Sequence, residues 1–340
     1  MKGASTLPLH LGKTSEALFG RLREANVCGD QLATHESGNG FVIRKMKKPA
    51  DREEAMHVAL IRVPYMMGDE RQGKGPGRLM QAGAEKLIAA KGVPVTVECI
   101  DRGGAFGDSG SASLAVGKRL ASTVRQSVAA GRLPIVLAGG CDASAGSLAG
   151  FDHANCGFVW FDAHGDFNTP ETTVTGYLPG MSMAVITGHC YRSYWAQMGD
   201  HTPLRESAAL MLGVRDLDPA ESERLSRSAI QVVKWRDGKP QSDIRATLDW
   251  LRQSVTELYL HIDMDSLDPA IAPGVVVSPV PGGISLEDME KALRAVFDRF
   301  SVRAVTLAAY DPDNDQDDKT LRTALRLLGV LAEGAKQHEN

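Results

Sequence analysis

The chain has 340 residues, 43% hydrophobic and 24% charged, with a formal net charge of −4. It is long enough to bury a substantial core, and so slight a negative balance offers no electrostatic case for binding nucleic acid or an anionic membrane surface. No apolar run approaches the roughly 20 residues that span a bilayer, the opening "MKGASTLPLHLGKTSEALFGRL" lacks the apolar core of a secretory signal, and five cysteines without a regular framework suit a reducing, cytoplasmic compartment.

In chain order, "KTSEALFGRLREA" has the spacing of a short helix, while "GDQLATHESGNGFVIRKMKKPADREE" mixes turn formers and charges without a period. Residues 1–55 are therefore expected to form an extension over a main domain at 56–340. A rhythm then begins. "MHVALIRVPY" predicts a strand, "RLMQAGAEKLIAAKG" a helix ending at Gly92, "VPVTVECI" a strand and "SASLAVGKRLASTVRQSVAAGR" a long amphipathic helix. "LPIVLAGG", "CGFVWFDAH", "MLGVRD", "IQVVKW", "TELYLHIDMD" and "VRAVTLAAYD" continue the strand series. "SLEDMEKALRAVFDRF" opens with a Ser-x-x-Asp helix cap. Short apolar strands without polar alternation, separated by helices, predict a mostly parallel sheet covered on both faces: one three-layer α/β/α domain. No internal repeat or low-complexity tract interrupts it.

Ligands of such sheets bind beyond the carboxyl ends of the strands, and three clusters fall there. "PIVLAGGCDAS" leaves its strand at Cys141, "GFVWFDAHGDFN" at Asp162, and "LYLHIDMDSLDP" at Asp263 and Asp265. Alternate residues of extended chain share a face, so Asp162 and His164, like Asp263 and Asp265, are expected to point into one pocket. One isolated Asp-x-Asp would read as a turn or a helix cap. Two such motifs at strand ends read instead as ligands of divalent cations, and oxygen with imidazole suits manganese(II). Two ions bridged by carboxylates can lower the pKa of a shared water.

"DAHGDFNTPETT" and "DMDSLDP" resemble the two strongest signatures of the ureohydrolase superfamily, which includes arginases, agmatinases and formiminoglutamases. The resemblance runs from about "RVPYMMGDERQGKGPG" to the C-terminal helix. It implies an arginase-like fold, two manganese(II) ions per chain, trimers or hexamers, and hydrolysis of a guanidino or amidino C–N bond by a hydroxide bridging the metals. It further implies that Asp162, His164, Asp166, Asp263 and Asp265 ligate metal, with Asp166 also orienting the nucleophile beside Asp162. The sixth ligand departs from the pattern. Where the family has a histidine in "GGDHSLAIGSISG" this chain reads "AGGCDASAGSLAG", and matching the downstream Gly146 and Gly150 puts Cys141 there; matching the double glycine would put Asp142 there instead. A thiolate in that place would shift the metal toward zinc or iron.

Two other departures concern substrate. The proton-transferring histidine of "SGNLHG" is matched by Pro179 in "TGYLPG", and the guanidinium-binding glutamate of "EVNP" by Ala309 in "AYDP". Asp311 and Asp313 are close to Ala309 in sequence but read first as turn residues. The amino-acid end of the substrate site is retained: Asn168 and Thr175 match the polar residues that hold a carboxylate, and Asp218 the acid that meets an α-amino group. Asp218–Pro219 also reads as a plain helix start. The expected substrate is thus a modified amino acid such as N-hydroxyarginine or formiminoglutamate, with ordinary arginase or agmatinase activity as the alternative. A relative that keeps the fold without turnover, as a metal-binding or regulatory partner, is the third reading. His153, His189 and His261 read as structural histidines, and "GDERQGKGPG" lacks the spacing of a phosphate-binding loop.

Overall fold

A computed structural model describes residues 57–199 and 202–337; the expected extension at 1–55 lies outside them. Ten strands are present among these residues: β1 (His57–Val63), β2 (Val95–Cys99), β3 (Arg132–Ala138), β4 (Cys156–Phe161), β5 (Ala209–Leu212), β6 (Gln231–Val233), β7 (Trp235–Arg236), β8 (Lys239–Pro240), β9 (Glu257–Asp263) and β10 (Ser301–Ala308). Eight of them form one sheet in the order β2-β1-β3-β10-β9-β4-β5-β6, and every pairing in it is parallel. β7 and β8 make a separate antiparallel hairpin.

Side chains of one strand serve opposite cores, as the period of two requires. In β4, Val159 and Phe161 pack into one hydrophobic cluster and Phe158 and Trp160 into the other. The first cluster is closed by the helices Lys74–Gln81, Ala84–Ala90, Ile244–Arg252, Leu286–Phe297 and Lys319–Gln337. The second is closed by Ser109–Ala129, Ala143–Leu148, Ser182–Ile186 and Pro219–Arg227. This is the expected three-layer α/β/α arrangement, and burial on both faces explains why the central strands such as β3 and β4 lack polar alternation, whereas the exposed edge strand β2 does not.

Helix ends follow local chemistry. Asp108 accepts from Ser111 N at 2.8 Å at the start of the long helix, and Ser285 accepts from Asp288 N at 3.1 Å, which is the cap read from "SLED". One expected helix is in fact two. The run ending at Gly92 divides at Gly83, whose φ of +91° is left-handed backbone that glycine enters without steric cost.

No helix among the described residues is long and apolar enough to cross a membrane. β3, β10, β9 and β4 are neighbours at the centre of the sheet. Their carboxyl ends bring together residues distant in sequence, among them Cys141 after β3, Asp162 after β4 and Asp263 at the end of β9.

Candidate metal centre

At those strand ends lies a cavity of about 620 Å³, lined by Cys141, His164, Asp166, Asp263 and Asp265 at its base. Alternation along the strands is not what gathers the donors, because β4 stops at Phe161 and β9 at Asp263. Tight turns do so. His164 N donates to Asp162 Oδ1 at 2.7 Å, and Asp265 N to Asp263 Oδ1 at 2.8 Å, so each first aspartate folds the residue two positions on back toward itself. Ala163 N, donating to Asp265 Oδ1 at 3.0 Å, ties the two turns together.

Asp162, Asp166, Asp263 and Asp265 are all buried. His164 Nδ1 lies 3.0 Å from Asp265 Oδ2 and 3.4 Å from Asp162 Oδ1. The Cys141 thiol donates to Asp263 Oδ2 at 2.8 Å. From β4, Trp160 Nε1 donates to Asp162 Oδ2 at 3.0 Å. Asp142 turns away from this cluster and accepts from Met67 N and Ser113 Oγ. Of the two residues matched to the sixth ligand, Cys141 is therefore the one beside the carboxylates.

Asp166 has a left-handed backbone (φ +46°), which costs a non-glycine residue roughly 1–2 kcal/mol. Met183 N and Ala184 N hold it by donating to its carbonyl at 2.9 and 3.2 Å. Its Oδ2 is buried with no hydrogen-bond partner among the described residues.

The electrostatics describe a cluster short of positive charge. Burial, then the charge of Asp265, lifts Asp162 to about 6. Burial and the neighbouring carboxylates push Asp166 and Asp263 well above the usual carboxylate range. Burial also acts upward on Asp265, but the hydrogen bond and charge of His164 outweigh it and leave that group low. His164 is opposed by burial, yet its bonds to Asp162 and Asp265 raise it to about 12. Burial, then the charges of Asp263 and Asp166, holds the Cys141 thiol far up. Like charges this close in a dry site are tolerated when cations sit among them.

Two groups of donors have ligand atoms all within 4.8 Å of one another: Cys141, Asp162, His261 and Asp263, and Asp162, His164 and Asp265. They share Asp162. This donor set, together with the orphaned Asp166 oxygen, fits a pair of divalent ions.

Toward the mouth, Asn168 Nδ2 donates to Asp218 Oδ2 at 3.1 Å, and Thr175 lines the same cavity. Pro179, Ala309 and Asp311 also line it. Asp311 is engaged by its own turn, accepting from Asp313 N and Asn314 Nδ2 at 3.0 Å each, while Asp313 pairs with Lys74 outside the cavity.

Of the histidines read as structural, His153 bonds the carbonyls of Phe151 and Thr202, and His189 sits between Glu206 and Arg224. His261, read as structural, also offers a ligand atom to the first donor group. The sequence reading missed Glu221. It lines the cavity and accepts from Phe167 N at 2.8 Å, and burial lifts it to about 7. Its approach is what requires Gly165, where a Cβ would come 2.7 Å from the carboxylate. The signal was available, since Asp218 and Glu221 stand one helical turn apart, but an acid in a first turn passes for ordinary helix-dipole chemistry.

A model of the arginase family matches residues 56–332. The arginase of Bacillus caldovelox is 29% identical over 293 residues, covering 81% of this chain and 97% of its own. The arginase of Bacillus subtilis (strain 168) is 29% identical over 290 residues, with the same shares covered. The native structure of the Bacillus caldovelox arginase aligns with a TM-score of 0.75 at 26% identity, covering 82% of this chain and 98% of that one.

Proposed function

The chain belongs to the arginase family, and from that premise we propose a metal-dependent hydrolase of a C–N bond in a linear guanidine or amidine. The observation that carries this reading is the burial of Asp166, Asp263 and Asp265, with the half-buried His164, in the wall of one cavity, and of Asp162 3.4 Å behind His164. A core that packs so many acids together gains nothing from them unless cations are held there.

Asp162, Asp166, Asp263 and Asp265, with His164 and Cys141, would hold two ions. The oxygen and imidazole donors favour manganese(II), and Cys141 opens the position beside it to zinc or iron. Bound there, the ions supply a water of lowered pKa as nucleophile and stabilise the negative charge that attack creates.

The chain's own residues do the remaining work. Asp166, with an unpartnered oxygen at the cavity, would orient the attacking water through that oxygen, accept its proton and pass it to the departing amine. Pro179 has neither proton nor donor to contribute at the cavity wall. The Asn168–Asp218 pair and Thr175 bind the amino-acid end of the substrate, with Asp218 meeting an ammonium group and the amide and hydroxyl a carboxylate.

Ala309 offers no carboxylate to a cationic head group. That supports a head group less basic than plain guanidinium, as in N-hydroxyarginine, or a formimino group, as in formiminoglutamate. Ordinary arginase activity is the second reading, favoured by Asp311 in the cavity wall two residues beyond Ala309 and by the retained amino-acid end.

The test is a turnover screen of the metal-loaded protein over arginine, agmatine, N-hydroxyarginine, formiminoglutamate and guanidine, scoring urea and ammonia. A kcat/KM for N-hydroxyarginine or formiminoglutamate about tenfold or more above that for arginine, equivalent to about 1.4 kcal/mol, is expected. Arginine as the best substrate selects the second reading. Absence of both turnover and bound metal would sink the hydrolase.

A further inference from the structure

We infer that His261 is a ligand of one of the two ions, and that with Cys141 it gives that position a mixed nitrogen, sulfur and oxygen donor set that prefers zinc(II), cobalt(II) or iron(II) to manganese(II). This deepens the two-ion reading and rests on it.

His261 lies on β9 two residues before Asp263, on the same face of the strand. It is completely buried, beneath the cavity rather than in its wall. Two contacts fix the ring. Trp160 stacks on it with centroids 3.7 Å apart and planes at 22°, and Ser144 Oγ lies 2.9 Å from Nδ1. The other nitrogen, Nε2, is buried with no hydrogen-bond partner among the described residues.

A structural histidine held this firmly would ordinarily satisfy both ring nitrogens. Here one is satisfied and one is left over, and the ring offers a ligand atom within 4.8 Å of those of Cys141, Asp162 and Asp263. With Nδ1–H donated to the Ser144 hydroxyl, the lone pair falls on Nε2. That is the usual arrangement of a metal-bound imidazole, whose second nitrogen is oriented by a neighbouring oxygen.

The donor set decides the metal. One thiolate and one imidazole beside two carboxylates make a four-donor group of the kind zinc(II) and cobalt(II) occupy, whereas manganese(II) favours oxygen. The second group, Asp162, His164 and Asp265, has no sulfur. The two positions therefore differ in softness. The imidazole that the family resemblance leads one to expect at position 141 is absent, and another enters from β9, across β10.

Cobalt(II) added to the metal-stripped, full-length protein tests this. Two ions per chain are expected, with a near-ultraviolet thiolate-to-cobalt absorption band and visible bands of four-coordinate intensity. X-ray absorption should count one sulfur and two imidazoles per pair of ions. His261→Asn keeps a polar group for Ser144 but stops short of Nε2. It should weaken one of the two sites by about 10- to 100-fold or more, halve the imidazole count and keep the thiolate band. Cys141→Ser should abolish the band. In competition, zinc(II) should displace manganese(II) from both positions, since any such site ranks manganese(II) lowest, but from the Cys141 position at a distinctly lower zinc(II) concentration. A single imidazole per two ions in the unaltered protein, or native affinity and spectrum in His261→Asn, overturns the role of His261 and leaves the two-ion hydrolase standing. Fewer than two ions in the unaltered protein overturns the two-ion reading itself. Because the X-ray absorption count needs no variant, a misfolded substitution does not shield the inference.

Discussion

Asp263→Asn should make the metal-free protein more stable and the metal-loaded protein less stable than the unaltered one. The ligand oxygens of Asp162 and Asp263 lie within 4.8 Å of each other. Two full charges at that separation repel by about 3.5 kcal/mol at an effective dielectric constant of about 20. Asp263 is already pushed upward by burial and by Asp265 and Asp162, so the metal-free cluster relieves part of this by taking up a proton. The gain left for the asparagine is about 1–3 kcal/mol, larger at pH 8 than at pH 6. With cobalt(II) present the order reverses. The unaltered protein gains about 2.7 kcal/mol for each ion at a free concentration 100 times its dissociation constant, and the variant forfeits at least one such contribution. Guanidinium unfolding followed by circular dichroism, in chelator and in cobalt(II), measures both signs. A variant less stable than the parent in chelator would mean that the hydrogen bonds from Cys141 and Asp265 N already satisfy this carboxylate, and the repulsion argument would fail.

Trp160→Phe keeps an aromatic ring beside His261 but deletes the N–H that holds Asp162. It should cost about 1.5–3 kcal/mol in unfolding and about 10- to 100-fold in metal affinity; lost stability with unchanged affinity would make Trp160 a core filler only. Glu221 titrates in the folded protein at about 7 rather than 4.5, chiefly through burial. The folded form therefore binds more protons than the unfolded form between those values, and this group's effect is least unfavourable below the lower one. Stability falls by roughly 3 kcal/mol as the pH rises through the interval. Glu221→Gln, which can still accept from Phe167 N, should remove that slope from unfolding of the metal-free protein, and parallel profiles for the two proteins would refute the assignment. Ala309→Glu should raise kcat/KM for arginine about tenfold or more relative to N-hydroxyarginine; an unchanged ratio would mean that the head group sits elsewhere in the cavity.

The parts of this molecule that could be read from sequence are those whose physics is local. β4 announces itself as an uninterrupted apolar run, and Ser285 with Asp288 announces a helix start. Asp162, His164 and Asp166 stand out because a short polar run straight after a buried strand has few other uses. What stayed hidden depends on neighbours distant in the chain. His261 takes its meaning from Trp160 on the adjacent strand and Ser144 on a helix, and no spacing within "YLHIDMD" distinguishes it from a buried structural ring. Glu221 reaches Phe167 because Gly165 leaves room, a relation across more than fifty positions. Which of Cys141 and Asp142 stands beside the carboxylates is likewise tertiary, since Met67 and Ser113 engage the aspartate elsewhere. Asp162 and His164, like Asp263 and Asp265, do come together as strand alternation predicts, but hydrogen-bonded turns rather than extended strand aim them.

The order of strands has a consequence for biogenesis. β9 and β10 are the last to be synthesised, yet they fill the gap between β3 and β4. Until they arrive, a nascent chain carries two half-sheets with raw inner edges, open to pairing with other chains. Asp263 follows Cys141 by 122 positions, so the two sides of the proposed ion site can meet only once translation has passed β9. An ion lodged there clasps the seam between early and late segments, and its removal would loosen the molecule along that central line first.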